Sequence, residues 1–271
     1  MNRQCSTFSE KDLSFLVDVL APNHKNKDRM IKTLREDEDI LEGMLSDEKL
    51  FNYLVHNPET IINASPLLFF TVLLNRVKQD LEHRAYTVEQ QERYSAVVFD
   101  SQKVVEFLEK KNLRNYLSDM LVSFVKINSY SLLVQVRKGV WRRLKFNDFD
   151  IDSLIKYSQM IDPEQRFPSY KRIADICLFI TGIFPDYIDS RHRYLFGALK
   201  RLELIARRSR EEFTKYGKYF YKAAAQQPIA QIQELNQVLL NLSNNFNLAV
   251  KPLTFMSSQY LGWYKDKFFL H

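Results

Sequence analysis

Glycine and proline are scarce in this chain, at six and eight of 271 residues. Sheet-rich folds use both in closely spaced turns, so the shortage argues against an all-β protein and for helices joined by short loops. Two cysteines, Cys5 and Cys177, make no disulfide scaffold, which suits a reducing, cytoplasmic compartment. Long apolar runs are missing as well. The two most apolar stretches, 67–74 (LLFFTVLL) and 176–184 (ICLFITGIF), fall well short of the about 20 residues a membrane helix needs. Glu10, Lys11, Asp12 and Asp18 interrupt the N-terminal stretch, so it does not read as a secretory leader.

Signatures of metal and nucleotide chemistry are also lacking. The histidines, at 24, 56, 83, 192 and 271, are dispersed, and Asp80-x-x-His83 is the nearest approach to a bundle metal motif. There is no His-Glu-x-x-His, Cys-x-x-Cys, P-loop, dinucleotide glycine fingerprint or serine elbow. Neither a metal nor a cofactor is therefore expected.

What is present is the composition of an ordinary globular protein, 45% hydrophobic and 27% charged. The net charge of +6 permits an anionic partner without requiring one. Helix starts are legible from caps. Ser9 with Asp12 and Ser209 with Glu212 read as capping boxes, and Ser65-Pro66 as an N-cap followed by proline at the first helical position. Thr87-Val-Glu-Gln90 reads as a further capping box. A charged helical segment spans 24–44, and Ser46 with Asp47 and Glu48 opens the next helix. Helical patterns continue over 100–111 and 113–127. The helix after Ser65 is apolar all round in its first half, so other helices should surround it.

Residues 129–147 alternate, with Val134, Val136, Val140, Leu144 and Phe146 at even spacings and Gly139 between two halves. This predicts a β-hairpin. A helix capped by Asp148 or Asp150 should follow to Met160. Next comes a helix over 169–181, with Gly182 just past its end in the left-handed conformation. Ser190 should cap a helix to Arg208, and helices over 210–225, 228–246 and 248–262 close the chain, with Pro252 near the first turn of the last. The expectation is a mainly α, multi-helix bundle with a small β-hairpin insertion. It divides into an N-terminal helical half (1–128), the hairpin (129–147) and a C-terminal helical half (148–271), or forms one continuous domain.

The stretch YKRIADICLFITGIFP (170–185), followed by EEFTKYGKYFYKAAAQQP (211–228), resembles a pattern in uncharacterised bacterial helical proteins. In those, a helix ending in a Leu-Phe-x-x-Gly-x-Phe-Pro-like sequence precedes a tyrosine- and glycine-rich helix. Aligned on Gly217, Phe213 and Phe220 stand where the pattern has tyrosines. The resemblance implies a bacterial, soluble, helical protein and carries no activity.

Three groups of residues stand out. Asp175 lies in the apolar run, where a carboxylate needs a cationic partner or several donors. It is either a structural ion pair or a pocket carboxylate. Tyr216 and Tyr219 on the glycine-containing helix are either packed aromatics with polar tips or a stacking wall for a ligand. Cys177, among apolar neighbours, reads as an inert core thiol. The third group is basic. In 191–210, Arg193, Lys200 and Arg207 recur every seven residues and Arg201 and Arg208 widen the strip. The hairpin adds Arg137, Lys138, Arg142, Arg143 and Lys145 around Trp141. Basic side chains with an interleaved aromatic suit phosphate contact and stacking, yet the same pattern also describes a solvated helix face. The acidic run Glu36–Asp39 could pair with this strip, within one chain or between copies. The sequence thus points to a non-catalytic interaction or scaffold protein, with a protein partner or self-association and no membrane. Nucleic acid or another anion is the alternative ligand. An enzyme with a pocket between 170–181 and 210–225 is the third reading.

Overall fold

The computed structural model describes residues 8–57, 64–90, 95–125, 129–137, 140–147, 150–185, 188, 208–262 and 264–269. It is a mainly α assembly with two small antiparallel ribbons. Along the chain come α1 (Glu10–Leu20), α2 (Lys27–Glu36), α3 (Glu38–Leu45), α4 (Glu48–His56) and α5 (Pro66–Glu82). The first ribbon, β1 (Thr87–Gln90) with β2 (Ser95–Val98), leads into α6 (Ser101–Glu109) and α7 (Lys111–Val125). The second, β3 (Ser129–Arg137) with β4 (Val140–Asn147), leads into α8 (Ile151–Met160) and α9 (Phe167–Ile183). Then follow α10 (Arg210–Ala225), α11 (Pro228–Ile232), α12 (Asn236–Asn244), α13 (Phe246–Met256), a π-helical turn (Ser257–Leu261) and α14 (Tyr264–Phe269).

The caps act as the residue types demand. Ser9 and Asp12 close a reciprocal capping box on α1, and Asp12 also accepts a bond from Ser65 N at 2.9 Å, tying α1 to the start of α5. Ser65 caps α5 with Pro66 at its first position, and Ser209 with Glu212 boxes α10. Asp150 caps α8.

Other local expectations need correction. Thr87–Gln90 is a strand rather than a helix start, because the Thr87 hydroxyl bonds the Asp100 carboxylate at 2.5 Å instead of a helical N–H. The 24–44 segment breaks at Asp37, which ends α2 and caps α3. Ser46 closes α3, and Asp47 is the cap of α4. Gly182 lies inside α9, which runs on to Ile183. A Cβ on Gly182 would sit 2.5 Å from the Leu253 Cβ, so glycine is needed for close helix approach, not for a left-handed turn. The 228–246 stretch divides at Glu234 into α11 and α12, and Pro252 falls within α13, well past its first turn. The helix expected after Ser190 lies outside the described residues.

The core is one connected cluster spanning both sides of the β3–β4 ribbon. Every residue from Leu68 to Asn75 and from Ile173 to Ile183 is buried, so the two uncharged runs are interior walls. At the centre, Phe124 of α7 stacks on Phe179 of α9 with ring centroids 4.0 Å apart, and Phe70 of α5 stacks on Phe269 of α14 at 5.6 Å. Phe269 in turn meets Phe179 edge-on at 4.9 Å. α9 packs along α10 and against α8 and α13, while α13 also touches α5 and α6. No described helix is long and apolar enough to cross a membrane.

Candidate functional site

Asp175 sits in the middle of α9 at 1% exposure. One carboxylate oxygen accepts bonds from the Tyr116 hydroxyl of α7 at 2.7 Å and the Tyr221 hydroxyl of α10 at 2.9 Å. The other receives the Lys171 ammonium, one helical turn earlier, at 2.7 Å. Lys171 also lies 4.8 Å from the centre of the Tyr116 ring. Burial, then the neighbouring Asp175 charge, raises both phenols well above the ordinary tyrosine range, so neither exchanges protons near neutrality. Three donors from three helices close a buried carboxylate. This cluster ties helices together and keeps the carboxylate away from solvent.

The other pocket candidates stand outside it. Tyr216 is half-buried, with its ring parallel to Phe220 and the Arg208 guanidinium 5.3 Å above it. Tyr219 is 65% exposed and meets Phe220 edge-on. Cys177 is enclosed, and burial pushes its thiol pKa up, away from the nucleophilic form. Gly217 is required because a Cβ there would lie 2.2 Å from the Phe246 ring.

Of the basic strip, Arg208 is described, and it is engaged: it pairs with Asp152 of α8 and covers Tyr216. Arg193, Lys200, Arg201, Arg207 and Lys138 lie outside the described residues. In the β3–β4 ribbon, where the backbone alone is described, Leu133 opposes Arg143, Val134 opposes Arg142 and Gln135 opposes Trp141, with a bulge before Arg137. Alternation therefore places Trp141, Arg143 and Lys145 on one face and Arg142 on the other. The acidic run is used at home: Glu36 faces Lys32 at 3.9 Å, Asp37 caps α3, and Glu38 pairs with Lys111 of α7 at 2.6 Å. Among the described residues, no group of three or more His, Cys, Asp or Glu is placed to hold a metal.

A surface that the sequence reading missed lies at the root of the β1–β2 hairpin, where Thr87 opposes Val98 and Val88 opposes Val97. Its outer side shows Tyr86, Val97 and Phe99, with Phe99 79% exposed and its ring edge-on to Tyr86 at 6.3 Å. Beneath them is a buried polar latch. Asp100 stands at the N-cap of α6 but makes no cap bond. Its carboxylate takes the Thr87 hydroxyl and pairs with Lys251 of α13, whose ammonium also reaches the Thr87 hydroxyl at 3.3 Å. Ser101 Oγ donates to the Arg84 carbonyl at 2.5 Å, and the Arg84 guanidinium lies 4.7 Å over Phe255 of α13. The readable signal was the Val97-Val98-Phe99 run; its exposure was not readable, because that depends on what packs against it.

No family model, curated protein or solved structure matches the chain.

Proposed function

We propose that this chain is a non-catalytic helical interaction protein that offers the β1–β2 hairpin root to a protein partner. The observation that carries this is Phe99, 79% exposed beside Tyr86 and Val97, on a hairpin tied to α13 by the buried Asp100–Lys251 pair. Single exposed apolar side chains are ordinary, but a contiguous aromatic patch on a held element is a contact surface. Aromatics presented without conformational freedom lose little entropy on binding. The enclosed Asp175 adds support, since the most unusual carboxylate in the core is occupied by Tyr116, Tyr221 and Lys171 rather than turned toward a substrate. The free, enclosed Cys177 favours the cytoplasm.

The test is site-specific photo-crosslinking in cells, with the probe at position 99 and, as control, at the exposed Lys32. A discrete adduct at 99, identified by mass spectrometry and lost when Asp100→Asn breaks the latch, is expected. Equal labelling at both positions would sink the reading. A second reading, nucleic-acid binding, draws on the shared ribbon face of Trp141, Arg143 and Lys145. It requires single-strand binding that weakens steeply with salt and with Arg143→Gln.

A further inference from the structure

Between Lys222 and Lys251 the sequence holds one charged residue, Glu234, in a chain of which 27% is charged. The core accounts for the buried part of this stretch: Ala230, Val238, Leu239 and Leu242 are enclosed. It does not account for the exposed part, where Gln226, Gln231, Gln233 and Gln237 stand in solvent. On the exposed side of α10, by contrast, Lys215 and Lys222 occupy such places. Amid the amides, α11 presents Ile229 at 36% and Ile232 at 77% exposure, three residues apart. Their backbone is held. Leu235 N bonds the Ala230 carbonyl at 2.8 Å and Glu234 N bonds the Gln231 carbonyl at 2.9 Å. This is a Schellman turn, with Glu234 itself in the left-handed conformation, φ 57°.

We infer that this face, α11 with the turn into α12, is a two-fold contact with a second copy of the chain, a surface distinct from the hairpin. Loss of charge around exposed aliphatic residues is the compositional mark of an interface centre. The charge balance selects the occupant. Two copies of a protein carrying +6 repel wherever basic faces meet, and a nearly neutral patch is where they approach at least cost. Glutamine amides both donate and accept, so the same patch satisfies itself across a two-fold axis. A strongly acidic or basic partner would gain nothing here. The patch is smaller than the roughly 20–30 residues a side of a standard interface, so the dimer is weak.

Sedimentation velocity on the full chain, up to about 0.5 mM, tests this. Wild type is expected to show a concentration-dependent dimer whose affinity is unchanged between low and high salt, because no ion pair holds it. Ile232→Lys should weaken it about a hundredfold, since each substitution removes two isoleucines from a two-fold contact at about tenfold apiece. Ile232→Gln should weaken it without added charge, and circular dichroism and melting should show both variants folded, as expected for a side chain so exposed. Phe99→Ser should leave the dimer intact. A monomer at every concentration, a dimer indifferent to both Ile232 variants, or one that dissolves in salt would each overturn the inference. Any of these together with a specific adduct at position 99 would leave the hairpin reading standing.

Discussion

Asp175 and Phe99 occupy opposite places for opposite reasons. Asp175 is a charged group inside the protein, where it is closed by Tyr116, Tyr221 and Lys171. Phe99 is a large apolar group outside, with only the edge of Tyr86 against its ring. The buried group already has all the partners its chemistry asks for, so its role is internal. The exposed group does not, so its role is with something else. The comparison shows that burial of chemistry alone is a poor guide to function, while an incomplete environment on a rigid support is a better one.

The sharpest way to break this contrast is Asp175→Ala. It orphans two buried phenols and a lysine, and a loss of about 3–5 kcal/mol in urea-unfolding stability is expected; a change below 1 kcal/mol would mean that the cluster does not hold α7, α9 and α10 together. Next is Gly217→Ala. Helix propensity alone would favour it, but the Phe246 ring stands in the way, so overpacking should destabilise by about 1–3 kcal/mol, read from thermal melting.

Tyr221→Phe should cost about 1–3 kcal/mol by removing one donor to the carboxylate. It also carries a pH signature. Tyr116 and Tyr221 hold their protons more tightly in the fold than in the open chain, because burial and the Asp175 charge disfavour phenolate. Unfolding then releases protons at alkaline pH, so this contribution is full below about pH 10 and is lost as pH rises beyond it. Stability of the wild type should fall more steeply above that pH than stability of Tyr221→Phe, and phenolate absorbance should lag until unfolding.

Two smaller effects sharpen the outer side. Glu234→Gly should stabilise by about 1 kcal/mol, because glycine takes the left-handed position at the α11 terminus without a Cβ penalty. Phe99→Ser should move stability by no more than about 0.5 kcal/mol while abolishing partner crosslinking from the neighbouring position 97. Strong destabilisation there would mean the hairpin root belongs to the fold rather than to a contact.

Much of the framework was legible in short windows. Capping boxes at Ser9–Asp12 and Ser209–Glu212, the Ser65-Pro66 start and the β3–β4 ribbon involve bonds over three or four residues or a simple alternation. The apolar runs at 67–74 and 176–184 were too short to span a lipid bilayer and too apolar for a surface. They could only be interior. Lys171 was also within reach of sequence reasoning, one turn before Asp175 on the same helix. Thr87–Gln90 misled because a capping-box pattern and a strand share residue types there, and the partner that decided between them is distant.

The amino-acid order alone thus determined which segments are helical, where most of them begin, and that the uncharged stretches lie inside, since these follow from local hydrogen bonding and the exclusion of apolar surface from water. Only the tertiary structure decided that Tyr116 and Tyr221 meet at Asp175, that Lys251 finds Asp100 across 151 residues, and that Gly182 and Gly217 serve close packing. It likewise decided that Phe99 and Ile232 are left outside. A side chain's partner and its exposure are set by which helix faces pack together, a choice made by many weak contacts at once and written in no single stretch of sequence.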